Sequence, residues 1–571
     1  MSDSVLTSSP ATPRPWWSNP IFRRYVRSRL RPRALMASLL VVGMVAAFLY
    51  FSVRTGFRYR GALGVVDAER ATLMPLLVFQ ALILFFAGTG QVAAGITAEA
   101  DEGTLDYQRL SPMKPLSKVL GYLAGLPIRE WCQFGITLPF TGWALWNGEV
   151  PAASWVPVYL ALLSSALLYH LTGLVAGSVV KNRRWAFLIS IGVIFLLYTV
   201  IPQAAKFGLV YFKYLTIWPV IDENMANLMP REAGGVMRLA RSLEPDVRFF
   251  GLHFSEVAFT LFSQGFLSLT FVLMLWRRWR RAESHLLGKA WALGLFGWMQ
   301  LMMLGNALPL ISAGLLFPSR QFSRRLTPGT NWKPNISEAV AMIGVYGLVT
   351  LLLLLVLTLI ITPGVDQQIM GLQRARKLGW RRLPVFSDPA SSFGFVFLMA
   401  LLGAGGWTVF AQQLIGSEWF PGQALVPYAL AAFALVLLSA GLIAQSVLEG
   451  WGGHRLFLLC IFGVVLPVMA GGVIASVSNR SLTAATWTVG MSPAAAPGYA
   501  AATLVPTLEL PREVERALPR AFWFWQGIMG VTAIGLLLRL RQIRQERRAS
   551  VFGAVGGTPG VIPAPPNLSL P

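Results

Sequence analysis

The sequence predicts an all-α polytopic membrane protein with about twelve transmembrane helices. The first observation behind this prediction is the composition, because 55% of the 571 residues are hydrophobic and 13% are charged. Soluble domains carry about twice that fraction of charge. The second is the length of the apolar runs, such as residues 341–361, since about 20 helical residues cross a bilayer. Runs this long are too long for the strands of a membrane barrel, so helices are expected.

Twelve apolar runs supply the predicted spans. They begin near Ala34, Leu73, Lys118, Ala153, Trp185, Phe254, Ala290, Ala339, Phe393, Pro427, Arg455 and Ala521. The second six follow the first six at offsets of about 255 to 275 residues, so the loop lengths repeat as well. The prediction is therefore two six-span pseudo-repeats, with a two-fold cleft or pore at their interface.

The basic charge gives the predicted orientation. The net charge is +23, and Lys and Arg cluster immediately beside the apolar runs. Cytoplasmic loops carry such an excess, and the clusters agree with an even number of spans and with both termini in the cytoplasm. Contact with anionic lipids is a second explanation of the charge. The distribution argues against a nucleic-acid partner.

The chain is predicted to consist of two permease halves and two tails. The first half covers residues 19–281 and contains a loop at 97–117, and the second covers 282–548. Residues 1–18 are rich in Ser and Pro, and residues 549–571 are rich in Pro and Gly. Both tails are predicted to be disordered.

Each half is predicted to have one long loop, between its fifth and sixth spans. They cover residues 206–253 and 478–520, and both mix apolar residues with proline. Such segments are expected to enter the membrane as short helices or re-entrant turns covered by protein.

Acidic residues gather in the loop at 97–117. Glu99, Asp101, Glu102 and Asp106 lie within eight residues of an otherwise basic chain. Most charge clusters are simply solvated, and this remains one interpretation. Acids contribute little to membrane orientation, so topology does not explain them.

The same loop carries signals for a short helix. Gly103 is predicted to end the preceding helix in a left-handed conformation. Thr104 is then expected to cap a short helix over 105–110. Ser111-Pro112 has the chemistry of a second helix start, with Ser as the cap and Pro at the first helical position.

This loop resembles that of the ABC-type-2 permease family, the membrane subunits of a class of ABC exporters. The family pattern is E-x-x-x-G-T-L followed by S/T-P. The matching residues are Glu99, Glu102, Gly103, Thr104, Leu105, Leu110, Ser111 and Pro112. In that family the segment is a coupling helix that sits in a groove of the ATP-binding subunit. The resemblance implies that these eight residues contact such a subunit.

The resemblance also implies the partners. The chain has no G-x-x-x-x-G-K-[ST] motif, so ATP and Mg belong on a separate ATP-binding subunit, expected in two copies. The chain itself is then a transport subunit and not an enzyme, without a cofactor or metal of its own. Other expected contacts are membrane lipids and, as a further option, additional permease or accessory chains. The expected location is a bacterial inner membrane.

Two departures from the family pattern stand out. The family often has Gly-Lys at the start of its third span, whereas this chain has Gly121-Tyr122. The corresponding loop of the second half has basic residues and no E-x-x-x-G-T-L. There Ser387, Asp388 and Pro389 repeat only the helix-start chemistry. The second half is interpreted as degenerate, with a loop that docks differently or weakly.

Arg129 and Glu130 are the candidate polar residues of a translocation path, because ionisable groups inside a span usually face a bundle interior. A structural salt bridge beside a kink at Pro127 is the competing interpretation. Glu130 also keeps open a different function, a twelve-span secondary transporter driven by an ion gradient. A membrane enzyme has no support from a catalytic motif.

Overall fold

The computed structural model describes most of the chain. The described residues are 16–59, 64–180, 182–231, 247–281, 283–317, 319, 332–380, 382–423, 425–477 and 482–553. Most of the two predicted disordered tails, residues 1–15 and 554–571, lies outside them. The described parts of those tails are a 3-10 turn at 16–18 and the end of the last helix.

The chain divides into two compact units, Met1–Leu286 with Met302–Thr330, and Leu287–Leu301 with Asn331–Pro571. Two short strands are described before Leu287, Val247–Phe249 and Leu252–Phe254. The described helices before Leu287 are Trp16–Ser18, Pro20–Arg29, Pro32–Tyr59, Val65–Ala81, Leu82–Gly88, Thr89–Asp101, Thr104–Leu110, Pro115–Gly125, Ile128–Asn147, Ala152–Val179, Arg183–Thr199, Ile201–Ala205, Val210–Leu215, Trp218–Leu228 and Glu256–Arg280. The two strands pair as an antiparallel hairpin, which the sequence did not predict.

Helix Lys289–Ser312 contributes to both units. The remaining elements of the second unit are Ile336–Ile361, Val365–Lys377, Phe393–Ile415, Pro427–Trp451, Gly453–Leu459, Cys460–Val465, Leu466–Val477, Leu482–Gly490, Ala496–Leu504 and Arg512–Phe552. All of them are helical.

Ten helices in the described part of the chain are long and apolar enough to cross a membrane. These helices confirm the prediction of an all-α polytopic membrane protein as a fold class. The predicted third span is two helices, Pro115–Gly125 and Ile128–Asn147, which are separated at Leu126 and Pro127. The predicted fifth span, Arg183–Thr199, has 17 residues. These two are not among the ten, so the count of twelve stays a prediction.

A π turn, Leu82–Gly88, interrupts the second span. It frees a carbonyl group from the α-helical pattern, and His170 Nε2 lies 3.0 Å from the Leu84 oxygen inside the bundle. A Cβ atom at Gly88 would lie 2.5 Å from the same imidazole nitrogen, so glycine is needed there. The Leu84–His170 contact joins this span to helix Ala152–Val179.

The core of the second unit is built around Trp407. Its indole N–H donates to the Ile343 carbonyl at 2.9 Å, and its ring stacks on Phe433 at 4.3 Å between centroids. At one end of the same unit, the buried Glu449 carboxylate accepts hydrogen bonds from both Nε and Nη2 of Arg544, each at 2.5 Å. This bidentate pair attaches helix Arg512–Phe552 to helix Pro427–Trp451.

The two predicted long loops contain short helices where they are described. The first has Val210–Leu215 and Trp218–Leu228, and the second has Leu482–Gly490 and Ala496–Leu504. Several of their side chains are buried in their own unit, including Tyr211 and Ala500. The short helices are as predicted, and their entry into the membrane stays a prediction.

Candidate functional site

The acidic loop forms a short helix, Thr104–Leu110, called here the loop helix. Gly103 precedes it with a φ of 71°, which confirms the predicted left-handed conformation. Thr104 was predicted as the cap, but it is the first helical residue, because Gly103 already turns the chain. Burial of Leu105 fixes the inner face of the helix.

The predicted helix start at Ser111-Pro112 is wrong. Ser111 has extended backbone angles after the loop helix, and the next helix begins at Pro115 with Lys114 as its cap. Pro115 supplies the fixed φ that favours the first helical position, so the same chemistry acts three residues later. This helix, Pro115–Gly125, and its continuation Ile128–Asn147 are called here the split helix.

Glu99 is buried directly behind the loop helix. The residue is 7% exposed, and its carboxylate accepts hydrogen bonds from the hydroxyls of Tyr25 and Tyr122 and pairs with Arg24. Tyr25 and Arg24 lie on helix Pro20–Arg29, called here the N-terminal helix. Burial raises the pKa of Tyr25 to about 12, so its hydroxyl stays protonated at neutral pH and serves as a donor. Glu99 therefore joins three helices and is withdrawn from the surface.

Lys118 fixes the end of the loop helix. Its ammonium group is buried and donates to the carbonyl oxygens of Gln108 at 2.7 Å and Ser111 at 3.2 Å. A cation placed on the last carbonyl groups of a helix satisfies acceptors that have no partner within the helix. Because Lys118 belongs to the split helix, the loop helix is attached to the element that follows it.

Tyr122 occupies the position where the family often has Lys. Its ring stacks on Trp279 with centroids 5.2 Å apart, and its hydroxyl lies against Glu99 and the side chain of Gln108. A buried lysine is nevertheless present one turn earlier, at Lys118. With Tyr122 in place of the lysine, the side chains at this position are therefore still tightly packed.

The N-terminal helix packs closely on the split helix. Asn19 caps it by accepting from the Ile21 amide at 3.0 Å, and its own amide donates to the Ser117 carbonyl at 2.6 Å. A Cβ atom at Gly121 would lie 2.8 Å from Asn19 Oδ1, and one at Gly125 would lie 3.0 Å from the Tyr25 ring. The two glycines, four residues apart, allow this close approach.

The outer face of the loop helix is exposed and mixes apolar with acidic groups. Leu110 is 85% exposed and Tyr107 is 78% exposed. Asp101, Glu102 and Asp106 are exposed beside them. Asp106 pairs with Arg109 on the same helix, an exposed pair of small energetic value. A rigid apolar tip with an acidic border is suited to binding a protein partner.

The structure separates the eight residues of the family pattern into three groups by exposure. Glu99 and Leu105 are buried, Thr104 and Ser111 are half-buried, and Glu102, Gly103, Leu110 and Pro112 are exposed. A direct partner contact is therefore available to the exposed four. Glu99 acts on the loop only by holding the N-terminal helix and the split helix together.

Arg129 and Glu130 lie in the first turn after the break of the split helix. They form an ion pair of 3.2 Å, and Glu130 is fully buried while Arg129 is partly exposed. This geometry agrees with the structural interpretation, a salt bridge beside a kink at Pro127. Within the described part of the chain Glu130 Oε2 has no hydrogen-bond partner, so the carboxylate is incompletely satisfied there.

In the corresponding loop of the second half, helix Val365–Lys377 is followed by turns and bends in the described residues 378–380 and 382–392. The helix-start chemistry of Ser387, Asp388 and Pro389 does not begin a helix, since the next described helix begins at Phe393. The buried ammonium of Lys289 donates to the carbonyls of Ser387 at 2.8 Å and Ala390 at 2.6 Å, and these bonds hold the segment as turns.

Comparison of the chain with protein-family models, curated proteins and solved structures gives no match. The functional interpretation therefore rests on the loop and its supports.

Sequence reasoning missed several residues of this site, among them Tyr25, Tyr107, Lys118 and Trp279. The spacing of Ile21 and Tyr25 along a basic helix is a usable signal for a buried face. Lys118 is a charged residue near the start of an apolar run, and such residues usually have a partner.

Proposed function

We propose that the chain is the membrane-spanning permease subunit of an ATP-driven ABC exporter of the ABC-type-2 class. It would have twelve spans in two six-span halves, cytoplasmic termini and a place in a bacterial inner membrane. A separate ATP-binding subunit, in two copies, would bind and hydrolyse ATP with Mg. The chain would couple that hydrolysis to movement of a substrate.

The observation that carries this proposal is the loop helix with its supports. Lys118 holds its last carbonyl groups, and Glu99 joins the adjoining helices behind it. Force applied to the exposed Tyr107 and Leu110 would therefore pass into the split helix and the N-terminal helix without being lost in a loose loop. Such an element suits a subunit driven by the conformational change of a partner.

A secondary transporter is the second candidate, and one observation favours it. Glu130 is a fully buried carboxylate, and one of its oxygens lacks a hydrogen-bond partner among the residues that the structure describes, as expected of a group that takes up a proton during transport. Against it, Glu130 is itself paired with Arg129. The buried carboxylates Glu69, Glu99 and Glu449 are likewise each paired with an arginine. The balance favours the exporter.

The test is affinity purification of the full chain from cross-linked membranes of its own cells, with ATP hydrolysis measured in the eluate. The double variant Tyr107→Ala with Leu110→Ala removes the exposed apolar tip without touching the core. Losing interface anchors typically costs about 2 kcal/mol or more, which weakens affinity about thirtyfold or more, so ATPase recovery should fall clearly below that of the unaltered chain.

Trp146→Ala is the matched control, because Trp146 is as exposed as Leu110 and lies at the far end of the split helix. It should leave ATPase recovery unchanged. ATPase recovery that is equal for the tip variant and the control would reject the proposed docking site. Transport that needs no ATPase, and that stops with the proton gradient and with Glu130→Gln, would establish the second candidate.

A further inference from the structure

The second-half loop, residues 362–392, exposes an apolar tip of its own. Phe386 is 69% exposed, Val385 64% and Leu378 61%, and Trp380 is also exposed. Four large apolar side chains within nine residues exceed the scattered exposure that is ordinary for a surface.

This tip is held in place. Lys289 fixes the carbonyls of Ser387 and Ala390 immediately after it. Before it, helix Val365–Lys377 is attached to the last helix, because Arg376 donates to the Val551 carbonyl at 2.7 Å and Arg547 donates to Gln368 at 2.7 Å. The fold therefore presents the apolar side chains at a fixed position.

The tip lies beside the first turn of a helix that is long and apolar enough to span a membrane. The Phe386 ring contacts Phe395 with centroids 5.7 Å apart, and Phe395 is in the first turn of the span Phe393–Ile415. Phe393 and Phe397 of the same span are exposed along its apolar surface. The exposed tip is thus next to side chains that face lipid in a spanning helix.

The charge of this loop is opposite to that of the first loop. Between 362 and 392 there are five Lys or Arg and two Asp, whereas between 97 and 117 there are four acids and two bases. Lys377 and Arg382, on either side of Trp380, are exposed. Basic groups bordering Trp and Phe are the combination that binds an anionic membrane surface, which repels acidic groups.

We infer that the second-half loop docks on the anionic surface of the bilayer, with Trp380, Val385 and Phe386 at the headgroup boundary and Lys377 and Arg382 on lipid phosphates. The two loops then have different occupants, a protein for the acidic one and lipid for the basic one. The inference depends on the assignment of the spans and is independent of an ATP-driven partner.

The experiment places a fluorescent probe at each loop. In the full chain with Cys132→Ser and Cys460→Ser, Phe386→Cys is labelled with an environment-sensitive dye, and Tyr107→Cys is the matched exposed aromatic of the first loop. Each protein is reconstituted into vesicles of phosphatidylcholine, alone or with about a third phosphatidylglycerol. Quenching by a lipid spin-labelled near the headgroup is compared with quenching by aqueous iodide.

The expected result is lipid quenching at position 386 that is severalfold stronger than at position 107, with the reverse order for iodide. Adding Lys377→Glu and Arg382→Glu should reduce lipid quenching at 386 severalfold in the anionic vesicles. A label at Val385→Cys should behave as at 386, which guards against a local effect of one substitution. Equal iodide access at 386 and 107 would overturn the inference, as would protection of 386 only by a bound protein subunit.

Discussion

Lys118 Nζ lies 2.7 Å from the backbone carbonyl oxygen of Gln108, and this bond attaches the loop helix to the split helix. The ammonium group comes from an element that is itself packed against the N-terminal helix through Gly121 and Gly125. The position of the exposed Tyr107 and Leu110 is therefore set by contacts in the interior.

Replacing Lys118 with Met should loosen the loop helix. The substitution keeps the length of the side chain and removes its bonds to the carbonyls of Gln108 and Ser111, at a cost of about 1 to 3 kcal/mol. Amide hydrogen exchange of residues 104–111 should become faster than in the unaltered chain. Lys114→Met, at an exposed lysine of the same loop, is the control and should leave exchange unchanged. Identical exchange in the two variants would show that Lys118 does not hold the helix.

Glu99 and Tyr25 should be energetically coupled. Glu99→Gln and Tyr25→Phe each remove part of one buried hydrogen bond, so the double variant should be less destabilised than the sum of the two, by about 0.5 to 3 kcal/mol. The measurement is the free energy of unfolding in detergent. The exposed neighbour variant Glu102→Gln should stay within about 0.5 kcal/mol of the unaltered chain. If the double variant loses as much free energy of unfolding as the two single variants together, the buried contact between Glu99 and Tyr25 is contradicted.

Gly121→Ala should detach the start of the N-terminal helix. The new methyl group would lie within 3 Å of the Asn19 side chain, which must then give up its cap on Ile21 and its bond to Ser117. Loss of a cap costs about 1 kcal/mol, and trypsin cleavage at the exposed Arg23 should become faster. Gly135→Ala in the same split helix meets nothing within 4 Å and should leave the cleavage rate unchanged. Equal rates for both variants would argue against the close approach.

Arg544→Met should be strongly destabilising. It leaves the carboxylate of Glu449, which is 1% exposed, without its bidentate partner, and breaking such a pair costs about 3 kcal/mol or more. The melting temperature in detergent should fall, and Glu449→Gln added to Arg544→Met should restore part of it. Arg541→Met, at an exposed arginine one turn earlier, supplies the baseline. If Arg544→Met melts at the same temperature as Arg541→Met, the Glu449–Arg544 pair contributes little to stability.

The sequence was sufficient for the features that depend on local chemistry. Gly103 was predicted to be left-handed from its place after a helix, and the short helix was predicted to within one residue of its observed start. The membrane helices followed from apolar runs, because length and hydropathy are properties of a contiguous segment. The break beside Pro127 has the same local origin.

The burial of Glu99 was not accessible in this way. Its partner Tyr25 is 74 residues distant in the chain, and Trp279 completes the same cluster from still further away. An acidic residue beside three exposed acids looks solvated until the packing of distant helices is known. The helix start at Ser111-Pro112 failed for a local reason, because the first bond of such a helix would run from the amide of residue 115 to the Ser111 carbonyl, and Pro115 has no N–H.

The π turn Leu82–Gly88 determines the rotational phase of the second span. Such a turn amounts to one residue added to an α-helix, and one residue corresponds to a rotation of about 100° around the helix axis. Every side chain beyond Gly88 is therefore turned by that angle relative to an uninterrupted helix. The direction in which Glu99 points, toward Tyr25, is set by a turn that begins seventeen residues earlier and is held by His170.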